Sequence, residues 1–217
     1  MLICGIDEAG RGPIIGPMVM AGVLVDEEGG ESLKSIGVKD SKLLTLGRMR
    51  VLFVKIKGIA IRHKIVVIQP LEIDSALESD SLNLNWLEAH KTAEIINALK
   101  PQKAIIDGPS NNLADYKRYL VKLLDNKSID VSVEHKADLN HVECGAASIL
   151  AKVTREDEIE KIKKKIGKNF GSGYPSDPIT KAFLEKNFNK YLEIFRKSWA
   201  PYKRVAGSGG QKKIGEF

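Results

Sequence analysis

The chain has 217 residues, of which 43% are apolar and 29% charged, a length that buries a core without help from disulfides or a structural metal and is expected to make one large domain. Its longest uncharged run, residues 12–25, is too short and too broken by proline and glycine to cross a bilayer. The net charge of +6 is uneven: after residue 150 there are 16 Lys or Arg against eight Asp or Glu, which suits a polyanionic partner and suits a solvated lysine-rich helix surface equally well. No basic segment precedes the first apolar stretch, so no secretory leader is expected and the expected location is cytoplasmic. Cys4 and Cys144 read as buried thiols, not a disulfide framework.

In chain order, residues 2–6 (LICGI) and 18–25 (MVMAGVLV) are rich in β-formers and are joined by GRGPIIGP, a run of turn residues. They read as two strands with a glycine-rich connection. A third strand falls within 59–68, and Pro70 sits where the first turn of a helix would be. Residues 82–99 carry helical spacing at Leu84, Leu87, Ile95 and Leu99, and 104–108 (AIIDG) is a short buried strand ending in an acid and a glycine. A helix over 113–124, a strand over 129–134 and one long helix from Cys144 to Lys165 complete the body. Early sequential strands followed by strand and helix units predict an α/β fold, a mixed sheet with helices packed on it. The body ends near Arg204, and Gly207–Gly210 has the composition of a linker.

Asp7 and Glu8 are adjacent acids after an apolar strand, where neighbouring side chains point to opposite faces. For both to serve one site the chain must turn there, and Gly10, Gly12 and Pro13 supply a break. Asp107 also follows an apolar strand, and Asp138 lies just past the strand ending at Glu134. Neighbouring strands would bring all four acids to one edge of the sheet. Clustered carboxylates repel one another unless a cation is present, and oxygen ligands without cysteine or paired histidine suit Mg²⁺ or Mn²⁺. Gly10, Arg11 and Gly12 can bring bare backbone close to a ligand, and Tyr174, among turn residues, can stack on a sugar or base. Lys39, Lys42, Lys136 and Lys152 stand beside these motifs, placed to hold phosphates.

GIDEAGRGPIIGP (5–17), VKDSKLLT (38–45), IDGP (106–109), EHKAD (134–138), AASILAKVTRE (146–156), GSGYPSDPIT (171–180) and RKSW (196–199) together resemble, in order, the motifs of type 2 ribonuclease H, the ribonuclease HII family, in a short archaeal-like form. The resemblance implies a ribonuclease H-like fold: a five-stranded mixed sheet flanked by helices, catalytic over 1–165, with a helical substrate-binding segment over 166–206 and a flexible tail over 207–217. It implies hydrolysis of the RNA strand of RNA·DNA hybrids and incision 5′ of single ribonucleotides in duplex DNA, leaving 5′-phosphate and 3′-hydroxyl ends, in the service of ribonucleotide and RNA primer removal. Asp7, Glu8, Asp107 and Asp138 become the catalytic carboxylates holding two divalent ions. Gly10, Arg11 and Gly12 read the ribose 2′-OH, Tyr174 stacks on the next deoxyribose, and Ser41, Lys42 and Lys152 join them on the substrate. The chain is expected to act as a monomer.

Two features stand apart. After EHKAD the family continues with a tyrosine and a proline, where this chain has LNHVECG, and His141 reads as a helix-start residue in preference to a catalytic one. The end, QKKIGEF, resembles a peptide that binds the replication sliding clamp, with Gln211, Ile214 and Phe217 at the expected spacing. Within nucleases the alternative is a related fold cutting DNA junctions. A binding module without catalysis is disfavoured, because a polyanion binder gains nothing from a cluster of acids in its groove.

Overall fold

The computed structural model describes residues 1–38 and 44–210, the last three as backbone only. A mixed five-stranded sheet forms its centre, comprising β1 (Ile3–Ala9), β2 (Met18–Val25), β3 (Arg62–Ile68), β4 (Lys103–Asp107) and β5 (Asp130–Glu134). The spatial order is β3-β2-β1-β4-β5, with β2 antiparallel to both of its neighbours and β1, β4 and β5 mutually parallel. Strand β2 is buried along its whole length, and its side chains alternate between two cores. Met18, Met20 and Leu24 face one, and Val19, Ala21, Val23 and Val25 face the other.

The first core is closed by three helices, α3 (Pro70–Glu78), α4 (Leu84–Leu99) and α5 (Leu113–Leu123). Pro70 occupies the first turn of α3, and Asn83 and Asn112 cap α4 and α5 by accepting from the backbone N–H groups of Trp86 and Asp115. The second core lies beneath α1 (Glu27–Ser35), α2 (Leu46–Ile59) and α7 (Val142–Ile166), which follows the single turn α6 (Ala137–Asn140). Helix α7 lies directly on β1. A Cβ built on Gly5 would come within 2.1 Å of the Glu143 carbonyl carbon, so only a glycine lets this helix backbone approach the sheet so closely.

Helices α1 and α2 escape the periodicity reading for visible reasons. Two glycines interrupt α1, which Asp26 starts by accepting from Gly29 N. Helix α2 buries Leu52 and Ile56 but leaves Val51 and Val54 in solvent, which blurs its apolar stripe. Two more helices, α8 (Pro178–Asn187) and α9 (Ala200–Gly210), build a third core with Ile14, Ile15 and Ile159 of the main body. Tyr202, Val205 and Ala206 pack on that core, and the backbone of α9, helical as far as Gly210, runs into the segment whose composition reads as a linker. Cys4 and Cys144 are buried free thiols, as read from the sequence, and burial pushes the Cys4 thiol up to about 12. Among the described residues no helix is long and apolar enough to cross a membrane.

Candidate active site

Strands β1, β4 and β5 are consecutive in the sheet and parallel, so their C-terminal ends share one edge. Asp7 and Asp107 have the same parity as Gly5 and Ile105, the positions that meet α7. Their side chains therefore leave the sheet on the α7 face. Asp138 reaches the same place from α6, whose Ala137 N–H donates to Asp107 Oδ1 at 3.2 Å. One carboxylate oxygen from each of Asp7, Asp107 and Asp138 lies within 4.8 Å of the other two. Asp7 and Asp138 are almost wholly buried. Burial, with Asp107 and Asp138 alongside, pushes the Asp7 carboxyl up to about 7; the nearby Ser148 hydroxyl pulls the other way without reaching good hydrogen-bond geometry.

The turn expected at Asp7 and Glu8 is absent, because β1 stays paired with β2 as far as Ala9 opposite Val19. Glu8 consequently leaves from the opposite face, the side of Cys4 and Ile6, and lies outside the convergent triad. It nonetheless stays within electrostatic reach of Asp7 and Asp107. Burial, then Asp7, Glu88 and Asp107, hold its carboxyl well above the usual carboxylate range. It lines a pocket of about 360 Å³ with Gly10, Arg11, Gly12, Lys152 and Tyr174.

That pocket is built around the turn after β1. Gly10 has φ +78°, and a Cβ there would come within 2.9 Å of Arg155 and 3.0 Å of the Pro17 carbonyl, so the position admits only glycine. The turn's carbonyls are taken from behind by Arg196, which is fully buried and donates to Gly10 O at 2.6 Å, Arg11 O at 2.8 Å and Gly16 O at 3.0 Å. Among the described residues the N–H groups of Arg11 and Gly12 donate to no protein acceptor. Tyr174 is held opposite: the Arg155 guanidinium lies 5.1 Å from its ring centre and donates to Ser172 O at 2.7 Å. The loop carrying Tyr174 is tied to the turn by Gly173 O, which accepts from Ile14 N and Ile15 N.

A convergent acid triad at a sheet edge, beside a glycine turn and an aromatic, now stands with a family match: the model of the ribonuclease HII family covers residues 4–202. The chain belongs to the ribonuclease HII family. It is therefore a type 2 ribonuclease H, a hydrolase of the nuclease class. It is 45% identical to a ribonuclease HII of Pyrococcus furiosus over 98% of this chain and 95% of that one. The crystal structure of a ribonuclease H2 from Pyrococcus horikoshii superposes with a TM-score of 0.88 at 40% identity, covering 98% of this chain and all of that one. The ribonuclease HII of an Archaeoglobus fulgidus complex with PCNA superposes at 0.82 and 37% identity, over 92% and 95% of the two chains.

In this ribonuclease HII family member, of the residues singled out by sequence, Asp7, Asp107 and Asp138 converge, and Glu8, Gly10, Arg11, Gly12, Lys152 and Tyr174 share the neighbouring pocket. Lys39, Ser41, Lys42, Gln211, Ile214 and Phe217 lie outside the described residues. His141 stands at the start of α7, its Nε2 2.9 Å from Glu134 Oε2. Sequence reasoning missed Asn85, Glu88, Ser148, Arg155 and Arg196. Arg155 and Arg196 belong to the basic last third, where they look like surface charge. Glu88 had one visible signal, an acid on the apolar stripe of α4 between Leu84 and Thr92.

Proposed function

We propose that this ribonuclease H hydrolyses the RNA strand of RNA·DNA hybrids and incises duplex DNA on the 5′ side of a single embedded ribonucleotide, leaving 5′-phosphate and 3′-hydroxyl ends. The observation that carries this reading is the Asp7, Asp107 and Asp138 triad standing beside a pocket lined by bare glycine backbone and Tyr174. Asp7, Glu8, Asp107 and Asp138 are the catalytic carboxylates. The ligand atoms that converge among the described residues are carboxylate oxygens, and the buried Asp7 disfavours charge in the absence of a cation; both features fit Mg²⁺ or Mn²⁺. Asp7 would be shared by two ions, Asp138 completing one ligand set, and Glu8 with Asp107 the other. Such ions, when bound, supply an activated water at neutral pH and charge stabilisation at the departing 3′ oxygen.

The remaining work falls to the chain's own residues. The turn lines the pocket, and its N–H groups without a protein acceptor among the described residues donate to a ribose 2′-OH, the group that separates RNA from DNA. Tyr174 stacks on the sugar that follows, and Lys152 holds a backbone phosphate. Ser41 and Lys42 join the phosphate contacts. The basic excess after residue 150 then belongs to a nucleic-acid partner, met in the cytoplasm by a monomer.

Incubating the protein with a DNA duplex containing one ribonucleotide, in Mg²⁺, Mn²⁺ or EDTA, tests the reading. A metal-dependent nick 5′ of the ribonucleotide, with no cut in the all-DNA duplex, is the expected result. Cleavage of DNA junctions lacking any ribose would favour the alternative nuclease. Tyr174→Ala should reduce incision at single ribonucleotides by roughly tenfold more than cleavage of long RNA tracts, and equal losses on both substrates would remove the junction-sensing role.

The tail belongs to the same proposal. The A. fulgidus relative's complex with PCNA supports a sliding-clamp contact through Gln211, Ile214 and Phe217, docked as a short helix with an apolar plug. Deletion of residues 211–217 should leave basal cleavage unchanged and abolish clamp binding in a pull-down or by calorimetry. Undiminished clamp affinity would assign the contact elsewhere.

A further inference from the structure

Arg11 lies in the turn proposed to meet the ribose, yet its side chain is tied down to α4. Its Nε donates to Glu88 Oε1 at 2.8 Å and its Nη2 to Asn85 Oδ1 at 2.7 Å. Asn85 and Glu88 are three residues apart on α4 and so share a helix face. Glu88 is fully buried, and its second oxygen, Oε2, has no hydrogen-bond partner among the described residues. A buried carboxylate joined to one partly exposed guanidinium contributes little to stability, since the desolvation cost offsets the attraction. What such a pair does provide is a defined seat for the side chain it holds.

We propose that Asn85 and Glu88 are positioning residues for sugar discrimination: they pin the Arg11 side chain against α4, so that the turn offers the substrate backbone N–H groups and not a mobile guanidinium. Two observations meet here. Arg196 takes the carbonyls of Gly10 and Arg11 from one side, and α4 takes the Arg11 side chain from another, while the N–H groups of Arg11 and Gly12 are among the turn's polar atoms that have no protein partner among the described residues. A released guanidinium would hold a backbone phosphate of ribose and deoxyribose strands alike. Affinity would then persist while selectivity fell. The inference rests on the reading of the turn as the 2′-OH reader.

The test compares affinities in Ca²⁺ for a duplex with one ribonucleotide and for the same duplex in all-DNA form, together with kcat and KM on the ribonucleotide substrate. Glu88→Ala and Asn85→Ala should each lower the ribose preference in affinity by roughly tenfold, and on the ribonucleotide substrate should lower kcat more than they raise KM. Arg11→Ala with Glu88→Ala should be no worse than either alone, and Glu88→Gln, which keeps an acceptor for Arg11 Nε, should retain most of the preference. Should Glu88→Ala fail to fold, Asn85→Ala, at a half-buried position, carries the same comparison. Equal loss on both duplexes, or a preference that survives in both α4 variants, would overturn this inference and leave the turn's role intact. Absence of any ribose preference in the unmodified protein would overturn the reading of the turn, and this inference with it.

Discussion

Asp7→Asn is expected to lower cleavage of an RNA·DNA hybrid by a thousandfold or more, on the order of 4 kcal/mol or greater, if Asp7 holds the catalytic cations as proposed. Binding of the hybrid in Ca²⁺ should survive, because Lys152, Tyr174 and the backbone of the turn are untouched. The same substitution should act oppositely on stability in EDTA. Asp7 has a carboxyl raised to about 7 by burial and by Asp107 and Asp138. A group whose folded pKa lies above its unfolded value near 4 contributes stability that is fully present below pH 4 and is lost as pH rises through 7. The metal-free protein should therefore lose on the order of 3–4 kcal/mol between pH 4 and pH 8 through this group. The amide that replaces the carboxyl cannot ionise, so the variant should show a flatter profile and a higher melting temperature than the parent in EDTA at pH 8, with the difference shrinking as Mg²⁺ is added. Cleavage within tenfold of the parent would remove Asp7 from the catalytic set. A parallel pH profile would show that Asp7 is ionised without cost in the metal-free fold.

The second large effect is expected at Arg196. Its guanidinium is fully buried, donates to three backbone carbonyls in the turn after β1, and lies 5.0 Å from the ring centre of Trp199. Burial and the nearby Arg155 lower its pKa to about 9, so it remains charged at neutral pH. Arg196→Ala leaves those carbonyls without their donors and opens space beneath them, a loss of roughly 3–5 kcal/mol. For a chain of this length that is about 8–15 °C in melting temperature. Arg196→Lys should restore only part of it, because one ammonium on a flexible stem cannot span three acceptors fixed by a planar fork. Incision at single ribonucleotides should fall in both variants, since the turn's geometry is set from beneath. A melting temperature within about 2 °C of the parent for Arg196→Ala, below the shift that a single lost kilocalorie produces at this size, would show that the turn holds its shape unaided.

Much of the framework was legible because it rests on local chemistry. The strands at 18–25, 104–108 and 129–134 and the long helix after Cys144 needed only side-chain period and β-branched content, and the observed strands and α7 fall within two residues of those bounds. Pro70 and the flanking turn residues located helix starts for the same reason. Helices α1 and α2 were not legible, since glycines in one and solvent-exposed valines in the other erase the stripe that marks a helix. Glu88 and Arg196 look like ordinary surface charges in a string of letters. Their burial depends on α4 and on the segment after α8 crossing the same turn, 70 and more residues away along the chain.

The amino-acid sequence by itself determined the strands and the long helix, the family and the chemical kind of the site: apolar strands ending in acids, a turn that must be glycine, and oxygen ligands suited to a hard cation. Tertiary structure alone decided which acids converge. Adjacent residues of a strand face opposite ways, so β1 sends Asp7 to the α7 face with Asp107 and Asp138 and sends Glu8 to the other, where it meets Arg11 and Glu88. That choice follows from strand pairing through Ala9 and from the close approach of α7 to Gly5, both contacts between segments far apart in the chain.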